Sequence, residues 1–320
     1  MEHPELRPPI AGSFAERLPI AIVGATATGK SRLGLHLAKK VGGEIVNADA
    51  LQVYRGFDIG TAKPSAAEQA LAPHHLLDIL EPQERYSAGR FARLARRAID
   101  DIEGRKRLPL VVGGSGLYLR ALLEGLSPLP RVSEEVERGL VERLETDGLE
   151  GLRADLERLD PRTARRLEAG DTQRTLRALG VVLSSGTSLS DWIARKPFGE
   201  QRIEAFRIGL TLDRPVLYDR VTRRIERMMG AGWVQEVRSL LARGLDPSLP
   251  AFQAIGYRQL AAHLRGECSL EEAVAEIVRS TRQFARRQLT WFRKDPTIVW
   301  FEAERFEKLR QQVEESLGLA

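Results

Sequence analysis

Eight residues, GATATGKS at 24–31, carry the first recognisable chemistry in the chain. They fit G-x-x-x-x-G-K-[ST], between the apolar run PIAIV and a helical pattern that begins at Lys30. Glycines allow backbone N–H groups to curl around phosphate oxygens, and the following helix adds the positive end of its dipole. Gly24, Ala25, Thr26, Ala27, Thr28 and Gly29 would form that cradle. Lys30 would neutralise the outer phosphates, and Ser31 would hold a Mg²⁺ that bridges them. Such a loop recognises phosphates and says nothing about what they are attached to. A nucleotide such as ATP, used by a small-molecule kinase, stays open here beside any other diphosphate.

Three further features could act with the loop. Asp49 ends the apolar run EIVNAD, and in open α/β sheets that strand edge faces the ligand crevice. A carboxylate there could ligate Mg²⁺, accept a proton, or cap the next turn. GGSG at 113–116 ends the run LPLVV at the same edge, where glycine permits close backbone approach and Ser115 adds a hydroxyl. A tight strand-to-helix turn would explain it equally well. RSTRQFARRQLTWFRK at 279–294 has six basic residues and no acidic one, with Phe284, Leu289, Trp291 and Phe292 between them. On a helix Arg279, Arg282 and Arg286 share a face, as a phosphate backbone with unstacked bases would require. A solvated face over an ordinary apolar stripe has the same pattern. Arg162, Arg165, Arg166, Arg174 and Arg177 form a weaker cluster.

These groups need a scaffold. Strand patterns at Ile20–Val23, EIVNAD, HLLDIL (75–80) and LPLVVGGSG alternate with helical segments, which implies a parallel sheet covered by helices. Pro and Ser break the pattern at SPLPR (127–131), and from Ser133 to about Ser190 only helical signals appear. Strand patterns resume at FRIGLTL (206–212) and TIVWF (297–301). The expected fold is therefore α/β: a P-loop parallel sheet with helices on both faces, plus an inserted all-helical domain. Residues 1–18 read as a mobile leader, 19–126 and 201–320 as the core, and 127–200 as the insertion.

Composition adds bounds. The 320 residues are 42% hydrophobic and 29% charged, as in ordinary globular proteins. No apolar run approaches the ~20 residues that span a bilayer. The opening has no apolar h-region of a secretory signal. A single cysteine, Cys268, cannot make an intrachain disulfide, so a reducing cytoplasm is the expected compartment. A net charge of +5 and a pI near 9.5 permit a polyanionic partner.

Taken together, the motifs resemble the tRNA dimethylallyltransferases, also called tRNA isopentenyltransferases. GATATGKS is similar to that family's GPTASGKT, with Ala25 in place of the usual Pro. NADALQVYRGFDIGTAKP (47–64) is the most distinctive segment, joined by APHHLLDI, YSAGRF, LPLVVGGSGLYLRALLEGL, DTQRTLRALG, AIGYRQL and TRQFARRQLTWFR. The resemblance runs from the loop to about residue 300. It implies transfer of a dimethylallyl group from its diphosphate to the exocyclic amine of the adenosine 3′ to the anticodon. The loop would then cradle an isoprenoid diphosphate, with Mg²⁺ as cofactor and no ATP consumed.

In that family's terms Asp49 would be the general base for the amine, Ser115 would hydrogen-bond it where relatives usually have Thr, and Arg220 would contact the diphosphate. The target base would be extruded from the anticodon arm into a channel between core and insertion. Asp49, Ala50, Leu51, Gln52 and Ser115 would line the RNA side. So would Gln173, Arg174, Thr175, Leu176 and Arg177; Gln253, Gly256, Tyr257 and Arg258; and Arg286, Arg287, Gln288, Thr290, Trp291 and Arg293. Glu137, with Arg138 beside it, stands where relatives commonly place an RNA-contacting Arg. A monomer is expected.

Overall fold

The computed structural model describes residues 18–127, 129–195 and 202–319. The expected leader lies, apart from Leu18, outside the described residues. Apolar runs too short for a helix become strands, each followed by a helix whose buried stripe repeats every three or four residues. The first half contains β1 (Ile20–Gly24), α1 (Lys30–Val41), β2 (Glu44–Asn47), α2 (Ala66–Leu71), β3 (His74–His75), α3 (Ala88–Gly104), β4 (Pro109–Val112) and α4 (Gly116–Leu123). Five helices follow: α5 (Glu134–Thr146), α6 (Gly148–Leu159), α7 (Pro161–Arg166), α8 (Thr172–Ser185) and α9 (Leu189–Arg195). Then come β5 (Phe206–Thr211), α10 (Arg214–Gly230), α11 (Trp233–Ala242), α12 (Tyr257–Leu264), α13 (Leu270–Phe292), β6 (Ile298–Glu302) and α14 (Phe306–Ser316).

All six strands are parallel, in the order β3-β2-β4-β1-β5-β6. β1, β2 and β4 are buried along their whole length, as strands covered on both faces must be. Their register aligns three chain exits. Val112 pairs with both Ile22 and Asn47, and Gly24 pairs with Leu210. The phosphate loop, Asp49 and the GGSG turn therefore leave the sheet at one edge, on neighbouring strands.

HLLDIL does not form the expected strand. Only His74 and His75 pair with β2. Leu76 and Asp78 then adopt positive φ values of 66° and 52°, and Leu80 returns as a single bridge to Tyr54. Asp78 is drawn into an ion pair with Lys63, and the N–H groups of Ile79 and Leu80 both donate to the Val53 carbonyl. Loop partners thus satisfy the backbone that a ladder would otherwise have used.

Contacts divide the chain into two compact units, one of which is Glu124–Arg202. That unit holds α5–α9 around Leu140, Leu152, Leu156, Ala164, Ala178 and Leu179. Buried Asp160 pins its α7 and α9 ends, accepting from the Thr163 amide and hydroxyl and from the Ser190 amide. In the other unit, α1, α13 and α14 supply side chains to the cluster under the sheet. Val53, Phe57, Trp233, Phe252 and Tyr257 anchor a second cluster. Among the described residues, no helix is long and apolar enough to cross a membrane.

One buried carboxylate gives the core an acid limit. Glu44 opens β2 at 1% exposure, and its oxygens accept from Arg105, Arg107 and His75. Arg105, against burial, holds this carboxyl down at about 2. A depressed carboxylate pKa stabilises above the unfolded value and loses that stabilisation as the folded group is protonated. Stability should therefore fall between the ordinary Glu range and about pH 2. Glu44→Gln should flatten that limb and cost about 1–3 kcal/mol at neutral pH, towards the lower end because Arg105 and Arg107 remain partly solvated. Urea unfolding measured across pH on both proteins checks this.

Candidate active site

The phosphate loop is shaped by its backbone. Gly24 has φ 140°, and a Cβ there would lie 2.6 Å from the Leu210 carbonyl oxygen. Gly29, with φ 98°, turns the chain into α1. Ala27 adopts φ 65° without being glycine, a conformation that persists only where its surroundings enforce it. Ala25 and Thr28 are buried, and the Thr28 hydroxyl donates to the Ala25 carbonyl at 2.8 Å. These two support the cradle from below; Thr26, Ala27, Gly29, Lys30 and Ser31 line the open side.

That open side is one wall of a cavity of about 1180 Å³. The same cavity is lined by Asp49, Gln52, Gly113, Gly114, Asp58, Ile59, Thr61, Ala62 and Lys63, with Arg220, Arg223, Arg224 and Arg227 from α10. Lys30 Nζ donates to the Ala25 carbonyl at 2.6 Å. Burial, and then the Arg224 charge, push its ammonium down to about 7, with Asp49 pulling the other way. Burial also lowers the Arg224 guanidinium, opposed by Asp49 and reinforced by Arg227. The cations Lys30, Lys63, Arg32, Arg220, Arg223, Arg224 and Arg227 thus outnumber the carboxylates Asp49, Asp58, Glu68 and Glu226 in the lining, an excess that an anionic ligand neutralises.

Asp49 does cap its own turn. Its Oδ1 accepts from the Leu51 amide at 2.8 Å and the Gln52 amide at 3.4 Å. Among the described residues no hydrogen bond ends on Oδ2, which leaves that oxygen available to a ligand. Capping thus occupies only one of the two oxygens. Gln52 in turn donates to the carbonyls of Thr61 and Ala62, holding the 58–63 wall. Glu236 holds the same wall from behind, accepting from the amides of Asp58, Ile59 and Gly60.

Sequence reasoning picked Arg220 and missed Arg223, Arg224 and Arg227. The signal was present: 220, 223, 224 and 227 are spaced as one helix face. Arg220 lines the cavity while donating to the Glu304 carbonyl at 2.6 Å. Ser115 is not among the cavity-lining residues, although Gly113 and Gly114 are. Its carbonyl instead receives the amides of Tyr118 and Leu119 and starts α4.

The residues expected to face RNA divide by burial. On α13, Arg286, Arg287, Thr290, Trp291 and Arg293 are exposed. So are Gln253 and Arg258, and, in the helical unit, Gln173, Arg174 and Arg177. Ala50 and Leu51 are half-buried. Five of these residues are turned inward instead. Thr175 and Tyr257 are fully buried, and Leu176 packs on the helical unit's own core. The Tyr257 hydroxyl donates to Glu236 at 2.6 Å, so this side chain braces the 58–63 wall and presents nothing outward. Gly256 is buried with φ 97°, and a Cβ there would strike the Trp233 indole at 2.0 Å. Gln288 is 7% exposed and lines the cavity, with both ends of its amide bonded inside the protein. Arg138 is exposed, and Glu137 is half-buried at the start of α5.

The donor set suits Mg²⁺. Ser31 and Asp49 line one cavity, and among the described residues no group of three or more His, Cys, Asp or Glu side chains could hold a metal. The Ser31 hydroxyl suits an ion that takes its remaining ligands from water and substrate phosphate.

Known proteins carry the same plan. A family model described as IPP transferase matches residues 52–295, and one described as isopentenyl transferase matches residues 19–76. A tRNA dimethylallyltransferase of Geobacter metallireducens is 46% identical over 283 residues, covering 88% of this chain and 92% of its own. That of Desulforudis audaxviator is 45% identical over 285 residues, covering 89% and 92%. The crystal structure of the full-length tRNA isopentenylpyrophosphate transferase of Bacillus halodurans superposes with a TM-score of 0.70 at 36% identity, over 94% of this chain and 95% of that one. A eukaryotic dimethylallyltransferase captured acting on tRNA gives 0.78 at 26% identity, over 92% and 77%. Likeness of that length and identity disfavours a kinase's ATP as the loop's occupant, and the chain belongs to the tRNA dimethylallyltransferase family.

Proposed function

We propose that this chain transfers the dimethylallyl group from dimethylallyl diphosphate to the exocyclic N6 amine of the adenosine 3′-adjacent to the anticodon of tRNA, releasing diphosphate. The observation that carries the reading is that Asp49, the Lys30 loop and the α10 arginines line one cavity, with Asp49 and Arg224 both acting electrostatically on Lys30. The N6 lone pair attacks the allylic C1, the C1–O bond breaks, and its electron pair leaves on diphosphate. The surplus N6 proton passes to Asp49 Oδ2 as general base. Backbone amides of the loop, Lys30 and Arg224 face the oxygens on which negative charge develops, so they stabilise the transition state more than the ground state. Mg²⁺, held at Ser31, would add charge neutralisation on the leaving diphosphate.

The acceptor base must leave its stack to enter such a cavity. The exposed cations and Trp291 of α13 suit phosphates and an unstacked base, and the exposed Arg174 and Arg177 of the helical unit suit further phosphates. Action as a cytoplasmic monomer completes the reading. The test is to incubate the protein with Mg²⁺, dimethylallyl diphosphate and undermodified tRNA, then analyse the nucleosides by mass spectrometry. One dimethylallyl group replacing one hydrogen on that adenosine is expected. Unchanged RNA from folded protein, with phosphate transferred from ATP to a small molecule, would overturn the assignment.

A further inference from the structure

Gln288 belongs to the buried stripe of α13, between Ala285 and Phe292, where an apolar residue would be expected. Its Oε1 accepts from the Thr26 amide of the phosphate loop at 2.8 Å, and its Nε2 donates to the Gly114 carbonyl at 2.9 Å. A Cβ on Gly114 would meet that Nε2 at 2.3 Å, so the turn lies hard against the amide. One residue earlier, a Cβ on Gly113 would meet the Ala48 carbonyl at 2.2 Å, next to Asp49. A chain of close approaches thus runs from the phosphate loop through Gln288 and the 113–114 turn to the Ala48 backbone, which precedes Asp49.

We infer that Gln288 is a positioning residue for the transfer, its side-chain amide setting the gap between the phosphate cradle and Asp49. This rests on the prenyl-transfer reading and adds to it a residue that lines the same cavity and acts through the loop and the 113–114 turn. The breaking C1–O bond is anchored at the loop, and the N6 proton acceptor stands at the strand end. Both must hold one distance for the in-line displacement, and an error near 1 Å costs about 10²-fold in rate. Two hydrogen bonds from one buried amide fix that distance more tightly than apolar packing would.

The test compares Gln288→Met, close in volume but without either hydrogen bond, with Gln288→Glu. Gln288→Met should lower kcat by about 10²-fold, with tRNA affinity and affinity for a thiolodiphosphate analogue of the donor changed only a few-fold. In Gln288→Glu, a protonated carboxyl can both accept from Thr26 and donate to Gly114, whereas the carboxylate repels the Gly114 carbonyl. Burial raises the pKa of such a carboxyl, so turnover of Gln288→Glu relative to wild type should climb as pH falls from about 8 to about 6. Wild-type kcat in the Met variant, or a flat ratio in the Glu variant, overturns the inference. Loss of tRNA affinity in step with kcat does so as well, by making Gln288 an RNA contact. Should Gln288→Met not fold, the pH ratio decides alone. Absence of transfer by the wild-type protein would instead remove the prenyl-transfer reading itself.

Discussion

Asp49→Asn should lower turnover by about 10²-fold or more while leaving affinity for the diphosphate donor within a few-fold of wild type. Asparagine is the informative replacement because Asp49 has two jobs. Its Oδ1 holds the Leu51 and Gln52 amides, and an amide oxygen can continue to accept both. The turn, and through Gln52 the 58–63 wall, should therefore survive the change. What disappears is the capacity to take a proton, together with a negative charge near Lys30 and Arg224. Losing that charge makes the cavity more positive, so donor binding should hold or tighten. Asp49→Ala removes the cap too, and should add a weaker grip on the donor to the same loss of turnover. Single-turnover kinetics and donor binding on both variants separate the contributions. Near-normal turnover in Asp49→Asn would leave Asp49 as a turn cap only and return the general base to another group.

How far the site could be read from sequence depends on whether its signal is local. The loop, its helix and the strand before it follow from one short pattern, and α1 begins at Lys30 as that pattern expects. The place of Asp49 in the cavity lining is legible because a carboxylate at a strand's C-terminal end has few positions open to it. HLLDIL read as a strand because apolar content does not reveal that Asp78 is needed by Lys63. Arg224 was passed over because helix-face spacing shows which arginines point together and not which wall they point at. Thr175, Tyr257 and Gln288 sit in segments that look RNA-facing in one dimension. In three, helical rotation turns Arg174, Arg177, Arg286, Arg287 and Trp291 outward and those three inward. For Gln288 a clue existed: it falls three residues after Ala285 and four before Phe292, on the stripe that any amphipathic reading buries. A glutamine there signals a polar partner within the protein.

Lys30 supplies the second large effect. Lys30→Met should cost about 10²–10³-fold in turnover, the range for removing one preorganised group that meets developing negative charge. It should also abolish a proton uptake. In the unfolded chain Lys30 keeps its proton to about pH 10.5, but in the folded protein only to about 7. Between those limits the unfolded state binds more protons, so stability rises with pH, and Lys30→Met should remove that slope. Donor diphosphate reverses the balance, because phosphate oxygens beside the ammonium favour its charged form. Binding above about pH 7 must then draw a proton from solvent, and affinity should weaken by up to about tenfold per unit as pH rises through that window. Calorimetry of donor binding near pH 8, in two buffers of different ionisation enthalpy, counts the protons. The wild-type protein should take up nearly one more than Lys30→Met, the variant subtracting the ligand's own ionisation. Equal uptake by the two would mean that Lys30 already carries its charge in the free cavity. The loop would then meet the donor with its charge in place, and the Arg224 pressure on Lys30 would have no consequence for binding.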